Sequence, residues 1–185
     1  MTPDRTDEDL MRMAQAGDLE AVGVLFTRHH RRVHALCYRL TGDAAAAEDL
    51  TQESFLRVIR YGRSFEGQAK FTTWLYRVVR NRCLDHNAAR KRDRERQETM
   101  ATDPTMHDQP GTPATPDPER GELLGRALER LPARMREVLV LSRYQGLRYS
   151  EIADLCEDSV GAIKVRAHRA MRELRRIVLE LEQES

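Results

Sequence analysis

Residues 149–176 read YSEIADLCEDSVGAIKVRAHRAMRELRR, and this stretch decides how the rest of the chain is understood. Ser150 is placed to cap a short helix, because its hydroxyl can take an orphan N–H of the first turn. Ile152, Ala153, Leu155 and Cys156 give that helix one apolar side. The polar break Glu157-Asp158-Ser159 follows, and Ser159 is placed to cap a longer helix from Val160. Two helices joined by a turn of about three residues predict a helix-turn-helix, whose second helix can enter a major groove. Val160, Ile163, Ala167, Ala170, Met171 and Leu174 recur at helical spacing and are expected inside. Lys164, Arg166, Arg169, Arg172, Arg175 and Arg176 oppose one carboxylate, Glu173. Cations so arranged neutralise phosphates or donate to guanine edges. A solvated basic face is the plainer reading, and the capped helix before it shifts the balance toward DNA.

The remainder of the 185 residues is consistent with helical units. Charged residues make up 33% and aromatics 5%, and β-branched runs are scarce, which argues against a large sheet. Net charge is only +1, so a nucleic-acid role rests on local clustering rather than on overall charge. The start, MTPDRTDEDL, is polar and acidic and does not read as a signal peptide. No apolar run reaches the length of a membrane span. Cys37, Cys83 and Cys156 are too few and too far apart for a disulfide framework and fit a reducing cytosol. His30, His34 and Cys37 share one helical face, but no fourth ligand is evident and Arg31 and Arg32 would repel a cation; no metal or cofactor is expected.

Read in order, Thr6 and Asp9 make a capping-box start, and Gly17 ends the first helix. Asp18 opens the second, with Val22, Leu25, Phe26, His29, Val33, Leu36 and Leu40 inward as far as Gly42. Asp43 opens the third, through Leu50, Phe55, Val58 and Ile59 to Gly62. After a loop over 63–70 the fourth carries Trp74, Leu75, Val78, Val79, Cys83 and Leu84 inward. Five prolines then fall among Thr, Asp and Gln up to Pro118, the composition of a solvated linker. Leu123, Leu124, Ala127, Leu128 and Leu131 start a second helical unit; its next helix, after Pro132, carries Val138, Leu139 and Leu141 and stops at Gly146. The expected fold is all-α: two small helical domains, a four-helix unit over 1–94 and a helix-turn-helix unit over 119–185, joined by a flexible linker over 95–118.

LERLPARMREVLVLSRYQGLRYSEIA followed by SVGAIKVRAHRAMRELR resembles region 4 of the sigma-70 family, the promoter-recognition subunits of bacterial RNA polymerase, in its extracytoplasmic-function (ECF) type. Relatives usually carry glycine and an apolar residue in the turn where this chain has Glu157 and Asp158. A left-handed Glu157 would be strained by about 1 kcal/mol. The first unit resembles region 2. AEDLTQESFLRVIRYG is similar to the polymerase-docking helix, with Asp49, Gln52 and Glu53 projecting together. FEGQAKFTTWLYRVVRN is similar to the segment that opens and reads the minus-ten element. The resemblance implies that Phe65, Glu66 and Gly67 help hold a base flipped from the non-template strand, and that Asn81 reads it. That role needs an apolar or aromatic wall and amide-type hydrogen bonds. Arg77, Arg80 and Arg82 would hold the single-stranded backbone. Trp74 is expected chiefly in the core. Lys164, Val165, Arg166, His168 and Arg169 occupy the positions from which relatives contact the minus-thirty-five element.

The implied function is that of a cytoplasmic ECF sigma factor. It would bind core RNA polymerase and promoter DNA, add no chemistry of its own, and have no membrane insertion. The resemblance allows for an anti-sigma factor as a further partner. The rival reading is a dimeric helix-turn-helix regulator with Leu174, Ile177, Val178 and Leu181 as its seam, independent of core polymerase. An enzyme is not expected: no P-loop, dinucleotide turn or nucleophile elbow is present. The two promoter elements would lie roughly 80 Å apart along the duplex, a span that an extended linker and the two folded units can cover between them.

Overall fold

The structure, a computed structural model, describes residues 5–98 and 118–184. Most of the expected linker, including the stretch 99–117, lies outside the described residues. Those described form helices and short turns.

Local chemistry sets the helix starts. α1 (Asp7–Gln15) opens with the expected box: Thr6 Oγ1 accepts from the Asp9 N–H at 3.1 Å, and the Asp9 carboxylate accepts from the Thr6 N–H at 3.3 Å. α2 (Leu19–Thr41) is capped by Asp18 and stops at Gly42, whose φ of 71° suits a residue without Cβ. α3 (Ala44–Tyr61) is capped by Asp43. A 3₁₀ turn, Gly62–Ser64, follows. A Cβ at Gly62 would stand 2.4 Å from Met11 Cε, so α1 fixes the path of the chain here. α4 (Phe71–Glu98) starts where Glu8 accepts the Phe71 N–H at 2.9 Å. It outlasts its apolar stripe by several residues, because its last turns are good helix formers with an i,i+4 pair, Lys91–Glu95 at 3.6 Å.

The second unit comprises α5 (Pro118–Arg130), α6 (Ala133–Leu139), a π-helical turn (Val140–Tyr144), α7 (Tyr149–Cys156) and α8 (Val160–Gln183). α5 covers the C-terminal half of α8: Ala127, Leu128, Leu131 and Leu139 bury Ala170, Ile177 and Leu181. The seam proposed for a dimer is therefore used within the chain.

The two units share a core. Leu25, Leu36, Phe71, Leu75 and Val79 of the first unit form one buried cluster with Val138, Leu141, Ile152, Leu155 and Ile163 of the second. Cys37 and Cys83 meet inside it, and their hydrogen bond together with burial pushes the Cys83 thiol up. Polar contacts frame the junction. Arg80 pairs with the buried carboxylate of Glu137. Arg77 donates to the Asp154 carbonyl at 3.3 Å, and Gln145 to that of Arg32 at 3.4 Å. The Arg39 guanidinium sits 4.0 Å from the centre of the Tyr144 ring.

Candidate polymerase and nucleic-acid interfaces

On α3, Leu50, Ser54, Phe55 and Val58 face the core, which turns Asp49, Gln52 and Glu53 outward, as expected. Gln52 donates to Glu48 at 3.0 Å. Glu53 accepts from Arg82 Nε at 3.0 Å and from Nη2 at 2.5 Å. An acid expected to dock on polymerase and an arginine expected to hold DNA thus neutralise each other. The pair is half-exposed on the acid's side and contributes little to stability. Ile59 is not in the core as expected; it is 52% exposed and lines a groove with Leu19, Phe26, Gln52 and Leu56. Phe26 is likewise partly exposed, held by Phe55 edge-on and by stacking with His30. Periodicity alone marks these positions apolar; it does not say whether a neighbour of the same chain covers them.

The loop before α4 departs most from expectation. Phe65 is only 6% exposed and packs edge-on to Phe71 and Trp74. Gln15 holds this turn by donating to the Phe65 carbonyl at 2.8 Å and to that of Gly62 at 2.9 Å. An apolar ring in an otherwise polar loop is its natural anchor, so the Phe65 side chain serves the core and is not open to a base. Glu66 and Gly67 are exposed beside it, and Gly67 has a φ of 75°. Asn81 is exposed and lines a pocket of about 420 Å³ with Tyr61, Trp74, Val78, Arg57 and Arg82. Its side-chain oxygen accepts from Arg80 at 3.3 Å. Arg82 is at this pocket, whereas Arg77 and Arg80 turn toward the second unit. Sequence reasoning missed Tyr61 and Arg57; the only available signal was an aromatic residue directly before the helix-ending Gly62.

In the helix-turn-helix, α7 begins at Tyr149, two residues earlier than a Ser150 cap would place it. Ser150 lies inside it, and the Glu151 carboxylate accepts the Arg148 N–H at 2.8 Å in place of a serine cap. Glu157 takes the left-handed conformation, φ 54° and ψ 46°, which the turn requires. Asp158 accepts from the Ser159 N–H at 2.9 Å and from Arg166 at 2.5 Å, and that Arg166 contact holds its carboxyl below the usual range. Ser159 caps α8 by accepting from Ala162 at 3.1 Å. Ile163, Ala167 and Ala170 anchor α8, while Val160 is exposed, contrary to expectation. Lys164, Val165, His168 and Arg169 are exposed on one side, and neither Lys164 nor Arg169 makes an ion pair among the described residues. Arg166 is near them but turned to Asp158, and Arg176 is bound by Glu173 and Glu180.

Family models match twice: Sigma-70 region 2 over residues 25–95 and Sigma-70 region 4 over residues 121–174. The RNA polymerase sigma-H factor of Pseudomonas aeruginosa is 31% identical, over 92% of each chain. The ECF RNA polymerase sigma-E factor of Haemophilus influenzae is 30% identical, over 92% of this chain and 94% of its own. The RNA polymerase sigma factor CarQ of Myxococcus xanthus is 34% identical, over 91% and 95%. Among solved structures, CnrH in complex with the cytosolic domain of CnrY superposes with a TM-score of 0.70 at 22% identity, over 97% of this chain and 99% of that one. The sigma factor RpoE of Bartonella quintana, solved with the anti-sigma factor NepR, gives 0.71 at 23% identity, over 84% and 95%. At these identities the two structures speak for the fold alone.

Proposed function

The chain belongs to the ECF group of sigma-70 RNA polymerase sigma factors, and from that membership we propose that it docks on core RNA polymerase and directs promoter-specific initiation through the surfaces described above. The observation that carries this reading is that both family regions occur in one chain, in order, within relatives matched over nearly their whole length. A free-standing helix-turn-helix regulator would have no use for the first unit, and the apolar positions it would need for a dimer seam pack on α5.

In this proposal residues 1–94 and 119–185 act as region 2 and region 4, joined by the linker. Asp49, Gln52 and Glu53 meet polymerase, with the apolar groove at Leu56 and Ile59 beside them. Asn81 reads a base of the minus-ten element, with Glu66 and Gly67 on the adjoining loop and Arg82 on the strand's backbone. Arg77 and Arg80 join them once region 4 moves away. Lys164, Val165, His168 and Arg169 meet the minus-thirty-five duplex, and Val165 can touch a thymine methyl. Arg166 would have to leave Asp158 to take part. The chain adds no chemistry of its own and works in the cytoplasm; among the described residues no helix is long and apolar enough to cross a membrane. An anti-sigma partner belongs to the same proposal: RpoE of Bartonella quintana, which shares this fold, was solved with the anti-sigma factor NepR bound.

Run-off transcription with core polymerase on genomic fragments tests the reading as a whole. Asp49→Arg tests the docking face: it should weaken core binding about tenfold or more through like-charge juxtaposition, with unchanged melting. Wild-type affinity in that variant would remove the docking assignment.

A further inference from the structure

The pocket between the end of α3 and the middle of α4 contains the elements needed to hold a single nucleobase. An extruded base needs a π face within reach of solvent and a hydrogen-bonding group at its edge. Asn81 supplies the amide. Phe65 cannot supply the face, because its ring is 6% exposed and fixed edge-on between Phe71 and Trp74. Trp74 reaches the pocket but is half-buried and held by the rings of Phe65 and Phe71. Tyr61 is 51% exposed and lines the pocket from the opposite side, on the last residue of α3. Its position is set by the residue that follows it, since Gly62 lies close against Met11. One turn earlier, Arg57 holds its guanidinium 5.7 Å from the centre of the Tyr61 ring. Arg57 and Arg82 thus put two cations on the rim, and the rim carboxylate Asp85 is tied to Arg82 at 3.3 Å.

We propose that Tyr61 is the wall on which the extruded minus-ten base stacks, with Trp74 as the floor and Asn81 as the reader of its edge. This rests on the promoter-reading role proposed above for the first unit. Tyr61 takes the part that the resemblance gave to Phe65. Arg57 supplies charge to the phosphate flanking the base and stacks on the far side of the ring. Stacking tolerates any base, so Tyr61 sets affinity at one position while Asn81 sets the preference there.

The test uses holoenzyme assembled from core polymerase and the full chain, on a promoter mapped by run-off transcription. The probe is a single-stranded non-template oligonucleotide spanning the minus-ten element, together with versions made abasic at each position in turn. Tyr61→Leu keeps apolar bulk without a π face. It should bind the intact oligonucleotide at least about fivefold more weakly, the equivalent of ~1 kcal/mol. Tyr61→Phe should bind as the wild type does. The loss in Tyr61→Leu should vanish on one abasic oligonucleotide and persist on the others. Equal binding by Tyr61→Leu and wild type overturns the proposal. So does a loss that persists undiminished at every abasic position, and so does a loss of core affinity, which would place Tyr61 in the docking surface. If wild-type holoenzyme itself neither initiates nor binds the strand, the promoter-reading role fails instead, so the two failures are distinguishable.

Discussion

The arginines of α4 and the cations of α8 look alike in the sequence and are placed differently in the fold. Arg80 is closed off with Glu137, Arg77 reaches the Asp154 carbonyl, and Arg82 is shared by Glu53 and Asp85. Lys164 and Arg169 project from α8 with no ion pair among the described residues. The difference lies in what packs alongside. α4 runs beside α3 and the second unit, so its cations find carboxylates and carbonyls there, whereas Lys164 and Arg169 on the outer side of α8 find no ion-pair partner among the described residues. A basic residue therefore offers its charge to DNA only to the extent that its own fold leaves it unpaired. In this packed arrangement the outer side of the helix-turn-helix is open, whereas Arg77 and Arg80 of the proposed minus-ten face are engaged by the second unit.

Removing one partner of the closed pair is the strongest way to break that contrast. Glu137→Ala leaves Arg80 against a junction without its counter-charge and should lower stability by about 3 kcal/mol, measured by chemical denaturation. The freed Arg80 should then behave like the α8 cations and make single-strand binding by the chain more salt-sensitive. Unchanged stability would mean that the pair does not hold the units together. The open face should respond in the opposite sense. Lys164→Ala and Arg169→Ala should each weaken binding to a minus-thirty-five duplex by about 1–2 kcal/mol. Their melting should stay within about 0.5 kcal/mol of wild type. A stability loss comparable to that of Glu137→Ala would show that α8 is not the unencumbered face described. The smallest effect is expected in the turn that aims α8. Glu157→Gly relieves a left-handed non-glycine residue and should raise stability by roughly 0.5–1 kcal/mol, with duplex affinity preserved. A fall in melting temperature would show that the Glu157 side chain contributes something its backbone angle conceals.

The helices were legible because caps are local. Thr6 with Asp9, Asp18, Asp43 and Ser159 each act within three residues of themselves, and each does what its type and position indicate. The polar break at Glu157, Asp158 and Ser159 is readable for the same reason, but whether Glu157 turns left-handed within it is not. What lay beyond the sequence was any contact made at a distance. Arg80 and Glu137 are 57 residues apart, and no periodicity joins them. Burial of Phe65 depends on Gln15, 50 residues earlier, which holds the loop in place. Phe26, Ile59 and Val160 sit on apolar stripes yet stay exposed, because a helical period marks a face without naming what will cover it. The apolar run Val138–Leu141 hid the passage from α-helix to π-turn, since both bury such residues equally well.

The shared core also has a thermodynamic consequence for association. On the proposed two-site reading, promoter elements about 80 Å apart are both gripped only after Leu75 and Val79 part from the cluster they share with Ile152 and Leu155. If only a fraction of molecules is parted at any moment, the apparent dissociation constant for a ligand that needs the parted form is the intrinsic one divided by that fraction. On that reading the apolar area at the junction would act as a rheostat on recruitment. Trimming one buried methyl there would raise the competent population and tighten apparent binding without altering any residue that touches polymerase or DNA.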